Sequence, residues 1–390
     1  MSIYVVQPGD NVNSIAETFG VAPETLVFIN QIPAPYPLAI GQALYLPTTD
    51  GTAEGLLPGN PAPPRPATVG GYAYPFISPY VLFQSLPYLT DLFIFSYGFT
   101  TEGALIPPPI SPDWMISAAL LQGVRPILTL TPFDASGQFN NYLISVVIND
   151  PTSVERLISE VVNELQVKGF QGVDVDFEFI RAEDRDAFVA FVARMQEAVS
   201  ALGYETSVAL APKTSADQQG LLYEGKDYPG LGAVADYVLL MTYEWGYKYG
   251  PPMSVAPIPQ VRRVVEYALT EIPPEKIHLG IPNYGYDWPL PFIAGETSAA
   301  VIGNIEAVQL AVRNNVPIQF DAAARSPFFF YSTPSSQHEV WFEDVRDFQE
   351  KYRLIVEYGL RGMSYWTIMQ LFRAGWYQQA DYFFPSRSGL

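Results

Sequence analysis

Residues 172–178 read Gly-Val-Asp-Val-Asp-Phe-Glu, with apolar and acidic positions in strict alternation. Successive side chains of a β-strand point to opposite faces, so Asp174, Asp176 and Glu178 share one face and Val173, Val175 and Phe177 the other. Similar short apolar runs recur along the chain and predict strands over 71–77, 91–97, 126–130, 172–177, 206–211, 236–242, 277–283 and 362–366. Helical spacing separates them. Asp150 caps a helix opened by Pro151; Val154, Leu157, Ile158, Val161 and Leu165 then recur every three or four positions until Gly169 stops it. Strands alternating with amphipathic helices predict a parallel sheet. Eight such units over 70–390 suit an α/β fold, a (β/α)8 TIM barrel, with its largest insertion between the seventh and eighth strands at about 288–340. Within that insertion Phe328-Phe329-Phe330-Tyr331 and Glu339-Val340-Trp341-Phe342 predict a hairpin that walls a cleft.

The first 48 residues have a different rhythm. A short strand at Tyr4-Val5-Val6 and a turn at Pro8-Gly9-Asp10 precede a helix over 13–19 that ends at Gly20. Pro23 suits the first turn of a second helix, and 41–47 supplies a closing strand. The segment 49–69 is rich in Pro, Gly, Thr and Ala and is predicted to be a semi-rigid linker. The small βααβ unit has no second copy.

Composition narrows the chemistry. Hydrophobic residues make up 48% of the 390, enough for a sizeable core. A net charge of −19 argues against a nucleic-acid partner and against anionic membrane surfaces. No apolar run approaches the ~20 residues of a membrane helix. The amino terminus lacks a basic region followed by an apolar core, so no secretory signal is expected. With no cysteine there are no disulfides or thiolate metal sites, and the two histidines, His278 and His338, are read as structural. The 25 tyrosines and 6 tryptophans fit a protein that holds sugar rings by stacking and hydrogen bonds.

In a (β/α)8 barrel the active site lies at the carboxyl ends of the strands. Glu178 is predicted there, with Asp176 and Asp174 deeper. Neighbouring buried carboxylates push one another's pKa values apart, leaving one protonated near neutrality beside a charged partner. That is a general acid with an electrostatic helper. A solvated acidic strand is the alternative, disfavoured by the β-branched and aromatic residues around it. The sixth strand ends Met241-Thr242-Tyr243-Glu244-Trp245, the seventh Asn283-Tyr284-Gly285-Tyr286-Asp287-Trp288 and the eighth Ser364-Tyr365-Trp366. An acid, a tyrosine hydroxyl and indole faces therefore converge on one rim, as a carbohydrate pocket requires.

Two resemblances add to this reading. The order strand-helix-helix-strand, with Tyr4 to Asp10, Ile15-Ala16 and Asn30, resembles a LysM domain. The resemblance implies a groove for N-acetylglucosamine-containing glycans between Gly9, Asp10, Asn11 and Val12 on one side and Asn30, Gln31, Ile32 and Pro33 on the other. No Lys or Arg precedes Arg65, so such binding would rely on hydrogen bonds and apolar contact. The strand-four pattern resembles the DxxDxDxE signature of family 18 glycoside hydrolases, and Met241-x-Tyr243 and Trp366 fit the same family. Met241 to Gly246, Gly250-Pro251-Pro252-Met253 and 281–288 look closest to its LysM-bearing branch that lyses cortical fragments in spore germination.

The resemblance implies Glu178 as general acid/base, with the substrate's own N-acetyl oxygen attacking in place of a second carboxylate. Asp176 would hold the acetamide N–H, Asp174 would tune its proton, Tyr243 would bond the acetamide oxygen, and Trp366 would floor the pocket. Trp245, Glu244, Asn283 and Trp288 are further candidates for sugar contacts. The substrate implied is peptidoglycan of the spore cortex, cut after N-acetylglucosamine. A chitinase, or a non-catalytic glycan-binding coat protein, is the alternative. Departures exist: Gln171 stands at the first signature Asp, Glu244 where many members have Asp, and Thr131-Pro132-Phe133-Asp134 lacks the Ser-x-Gly-Gly of typical chitinases. The implied mechanism needs no metal or organic cofactor. The implied location is the spore, coat or cortex, after synthesis in the mother-cell cytoplasm. With a flexible linker, the LysM unit is expected to serve delivery to insoluble cortex and not hydrolysis of soluble fragments.

Overall fold

The structure, a computed structural model, describes residues 2–47, 63–134 and 136–387. In the amino-terminal unit β1 (Ser2–Val5) pairs antiparallel with β2 (Ala43–Leu46), and α1 (Val12–Phe19) and α2 (Pro23–Ile29) pack on them. Asn11 caps α1 by accepting from the Ser14 amide at 3.0 Å, and Gly20 ends it at φ 66°, a conformation that favours glycine. Val12, Ile15, Leu26, Ile32 and Leu44 form its core.

The barrel follows as β3 (Arg65–Ala73), α3 (Pro79–Ser85), β4 (Asp91–Phe99), the short β5 (Leu105–Ile106), α4 (Asp113–Leu121), β6 (Arg125–Leu130), α5 (Tyr142–Ile148), α6 (Pro151–Lys168) and β7 (Gly172–Val175). It continues through α7 (Arg185–Ser200), β8 (Glu205–Leu210), α8 (Tyr228–Val234), β9 (Tyr237–Leu240), α9 (Ile258–Glu271) and β10 (Ile277–Pro282). After an inserted region come α11 (Val345–Glu357), β16 (Gly362–Trp366), α12 (Arg373–Tyr382) and β17 (Phe383–Pro385). The parallel strands run in the ring order β3, β4, β6, β7, β8, β9, β10, β16, and β3 closes it by pairing with both β4 and β16. At Gly362 a Cβ would stand 1.8 Å from the Thr68 carbonyl oxygen, so only glycine permits that approach. His278 is buried between Thr68 and Ser364, bonded at 2.5 and 3.0 Å, and burial holds its pKa far below the usual imidazole value; its place is structural.

The inserted region consists of β11 (Gly285–Leu290), β12 (Ala300–Ile302), α10 (Asn304–Arg313), β13 (Gln319–Asp321), β14 (Ser326–Ser332) and β15 (Gln337–Trp341). Its strands form one antiparallel sheet in the order β12, β11, β15, β14, β13. The hairpin expected there is present, with Phe328 opposite Trp341.

Two expectations need correction. The first barrel strand begins at Arg65, not at 71; Pro66 is tolerated because it lies near the strand's start. Of the predicted linker, 49–62 lies outside the described residues, and 65–69 is strand. The LysM-like unit is also not a loosely tethered appendage. Tyr45 donates its hydroxyl to Asp381 at 2.8 Å, Gln31 donates to the Leu371 carbonyl at 3.1 Å, and the Arg373 amide donates to Gln31 at 2.6 Å. The Arg373 guanidinium donates to the Phe28 carbonyl at 2.8 Å and lies 3.9 Å from the Phe28 ring. None of the described helices is long and apolar enough to cross a membrane.

Candidate active site

The ladder ends at Val175, but the alternation persists beyond it because the Asp176 amide still donates to the Leu130 carbonyl at 2.9 Å. Val173, Val175 and Phe177 are fully buried under α7, where Phe177 stacks on Phe188 and Phe191. The carboxylates point inward. Asp174 accepts from the Tyr72 hydroxyl at 2.8 Å and from the Ser207 hydroxyl at 2.7 Å; burial raises its pKa to about 6, against the lowering effect of those two bonds. Asp176 is buried, one of its oxygens has no hydrogen-bond partner among the described residues, and burial with the charges of Glu178 and Asp174 holds its pKa well above the carboxylate range. Glu178, half-buried at the mouth, is raised by desolvation, and the Lys226 charge opposes the rise. Burial and mutual repulsion therefore disfavour ionisation of all three carboxyls together.

Around this ladder stand the aromatics. Tyr243 is almost wholly buried and faces Asp176 and Glu178, whose charges join burial in raising its pKa. Trp366 is half-buried, 4.9 Å edge-on from Phe95 and 5.5 Å from Tyr72. Tyr74 extends the wall, stacking on Phe76 and meeting Phe95 edge-on, both at 5.2 Å. An apolar cleft of Tyr74, Phe76, Phe95, Ile110 and Phe133 opens beside Trp366. Trp245 is half-buried at the rim. Glu244 adopts φ 68° and accepts from the hydroxyls of Tyr284 and Tyr286, the latter at 2.9 Å. Solvent reaches its side chain, yet the tyrosines crowd its carboxylate enough for desolvation to raise its pKa.

Some predicted contacts fall elsewhere. Trp288 is fully buried and donates its indole N–H to the Gly250 carbonyl at 2.9 Å, so it cannot meet a sugar. Asn283 donates to the Thr367 and Gln370 carbonyls at 2.9 and 3.0 Å and accepts from Asn304 at 3.1 Å. Its amide holds the segment after Trp366, with both N–H donors and one acceptor position used inside the protein. In the LysM-like unit Val12 and Ile32 are core residues. Asn11 is the helix cap; Asp10 accepts from the Tyr4 hydroxyl at 2.6 Å and from the Gln7 amide at 2.7 Å; Asn30 bridges Leu26 and Tyr45. Gln31 belongs to the docking contact. Gly9 and Pro33 remain exposed. Asn30 to Pro33 instead border a cleft shared with Val308, Gln309 and Arg313 of α10. Sequence reasoning missed Tyr72, Ser207, Lys226, Tyr284 and Tyr286. Only the two strand-end tyrosines carried a local signal, since they alternate with Trp288 beyond a predicted strand.

An acid ladder at the carboxyl end of the fourth barrel strand, roofed by tyrosines and an indole from the others, defines a carbohydrate-cleaving barrel. Residues 136–370 match the profile of the glycosyl hydrolases family 18, and residues 4–47 match that of the LysM domain. The chain belongs to family 18 and is a glycoside hydrolase with an amino-terminal LysM domain. It is 39% identical to a cortical fragment-lytic enzyme of Bacillus subtilis over 98% of each chain. The crystal structure of the spore cortex-lytic enzyme SleL of Bacillus megaterium superposes with a TM-score of 0.91 at 32% identity, covering 100% of this chain and 99% of that one. A chitinase of Chromobacterium violaceum matches at 25% identity with a TM-score of 0.74, over 81% of this chain and 98% of its own.

Proposed function

We propose that the protein hydrolyses spore-cortex peptidoglycan, cutting the β-1,4 bond after N-acetylglucosamine by substrate-assisted, retaining catalysis. The observation that carries the mechanism is the buried, unpartnered oxygen of Asp176 beside Tyr243 and Glu178. A buried carboxyl oxygen without a partner is costly, and an acetamide N–H from the substrate would satisfy it. Glu178, whose protonated form desolvation favours, gives its proton to the glycosidic oxygen. The N-acetyl oxygen attacks the anomeric carbon, Asp176 bears the charge that develops on the acetamide nitrogen, and Asp174 with its Tyr72 and Ser207 bonds moderates the Asp176 proton. Tyr243 orients the acetamide, and Trp366 carries the ring. Water, activated by the deprotonated Glu178, then opens the cyclic intermediate with net retention.

The cortex assignment draws on the near full-length similarity to cortex-lytic enzymes, and it implies association with the spore. Both modules suit N-acetylglucosamine-containing glycans as partners. A chitinase is the second reading, favoured by the likeness to the Chromobacterium enzyme. Mass spectrometry of products from cortex fragments and, separately, from chitin oligosaccharides distinguishes them. New reducing N-acetylglucosamine ends from cortex, with little product from chitin, are expected; chitin cleavage alone would move the protein to the chitinase reading. Glu178→Gln should abolish turnover on cortex fragments while binding persists, and a variant as active as the native enzyme would refute the acid assignment.

A further inference from the structure

Beneath the acid ladder lies a lysine that the mechanism above does not use. Lys226, in the loop before α8, is fully buried, which is rare for an ammonium. It donates to two backbone carbonyls: that of Ala209 at 3.1 Å, and that of Phe177, the residue joined to Glu178. Its ammonium lies 5.2 Å from the Phe188 ring centroid. Among the described residues its hydrogen bonds go to carbonyls and not to a carboxylate, so this buried positive charge is balanced through space by Asp174, Asp176 and Glu178.

We propose that Lys226 is a positioning residue for hydrolysis, whose ammonium fixes the charge carried by the Asp174–Asp176–Glu178 ladder and anchors the peptide bond from which Glu178 projects. The proposal rests on the reading of Glu178 as the acid. One buried cation offsets one carboxylate charge, which favours a resting ladder with one anion and with Glu178 protonated, as the acid reading requires. When Glu178 releases that proton, the same cation limits the cost of the second negative charge. Among the described residues, the other groups facing the cluster cannot do this: Tyr72, Tyr74 and Tyr243 are neutral, Ser207 is a neutral donor, and Glu244 is itself acidic. Lys213 faces away, donating to the Ala216 carbonyl and to the main-chain carbonyl of Lys226, both at 3.1 Å. Burial, opposed by the ladder's charges, brings the Lys226 pKa down to about 8, close enough to neutrality for the ammonium and the carboxylates to titrate as one system.

Lys226→Gln removes the charge and retains an amide that can donate to the two carbonyls. Loss of a nearby cation disfavours every ionised carboxylate, so both limbs of the pH profile of kcat/KM should move up by about one pH unit. The value of kcat should fall about ten- to a hundredfold with KM little changed, and Lys226→Arg should restore the native profile. Native pH limbs in Lys226→Gln would overturn the proposal. If that variant does not fold, labelled-lysine NMR on the otherwise native chain gives the reciprocal test. The Lys226 titration near 8 should move down in Glu178→Gln, because the negative charge that Glu178 acquires as it loses its proton in the same pH range is absent; an unmoved midpoint would overturn the proposal equally. Full turnover by Glu178→Gln would instead sink the acid assignment, so the two failures are separable.

Discussion

Asp174→Asn should make the protein more stable and less active, and the balance between these effects can be worked from the structure. In the fold the Asp174 carboxyl is held at about 6 by burial, against an ordinary 3.8. A pKa raised on folding means that the folded state binds the proton more tightly than the unfolded chain does. Stability from this group is therefore full below the unfolded value and lost as pH rises through the folded one. Above pH 6 the ionised carboxylate costs the fold up to about 3 kcal/mol. Asparagine removes that cost and can still accept from Ser207, while Tyr72 reverses its hydroxyl to accept from the new amide. Imperfect geometry leaves a net gain of about 1–2 kcal/mol, or about 1–2.5 °C in unfolding midpoint for a chain of 390 residues. Calorimetry at pH 7.5 should detect that gain, and at pH 3.5 it should vanish. On the proposed mechanism, in which Asp174 moderates the Asp176 proton, turnover on cortex fragments should fall at least about tenfold. A midpoint lowered at pH 7.5, or a gain independent of pH, would refute the account of Asp174 as a strained, desolvated carboxyl.

Two further outcomes test parts of the fold away from the ladder. Lys351 is fully buried and paired with Glu343 at 2.5 Å and Asp347 at 2.7 Å, so Lys351→Met strands two buried acids and should cost about 3–5 kcal/mol; a midpoint within about 1 °C of native would contradict this. Arg373→Ala removes the guanidinium from the Phe28 carbonyl and ring, and should speed amide exchange in α2 while leaving hydrolysis of soluble fragments unchanged. Native exchange rates there would mean that Tyr45–Asp381 carries the docking without it.

What the sequence disclosed follows from the range of each interaction. The carboxylate face at 172–178 and the α6 caps, Asp150 and Gly169, were legible because strand alternation and capping are written within a few residues. Trp288 was misjudged because period-two alternation gives two faces without saying which is inward; here it points under the inserted sheet to the Gly250 carbonyl. Asn283 looked like a polar group at a strand end, and its partners Thr367, Gln370 and Asn304 lie far along the chain. The start of β3 was hidden by prolines that read as linker. Tyr72 and Lys226 carry no motif at all; each gains its role from a strand or loop that the barrel brings beside β7. The docked LysM unit was illegible for the same reason, since Arg373 and Phe28 meet only after the whole barrel has closed.

Asn283 has a mechanical consequence. It stands where the chain leaves the barrel for the inserted sheet, and its single amide is tied to Asn304 at the head of α10 and to the carbonyls just past Trp366. The remainder of α10 borders the cleft that adjoins Asn30 to Pro33. A load applied at that outer cleft thus has a short, stiff path of one helix and three hydrogen bonds to the segment that follows Trp366. Grafting a foreign module at this junction would have to bring its own counterpart of Asn304, or the segment after Trp366 would be left loosely held.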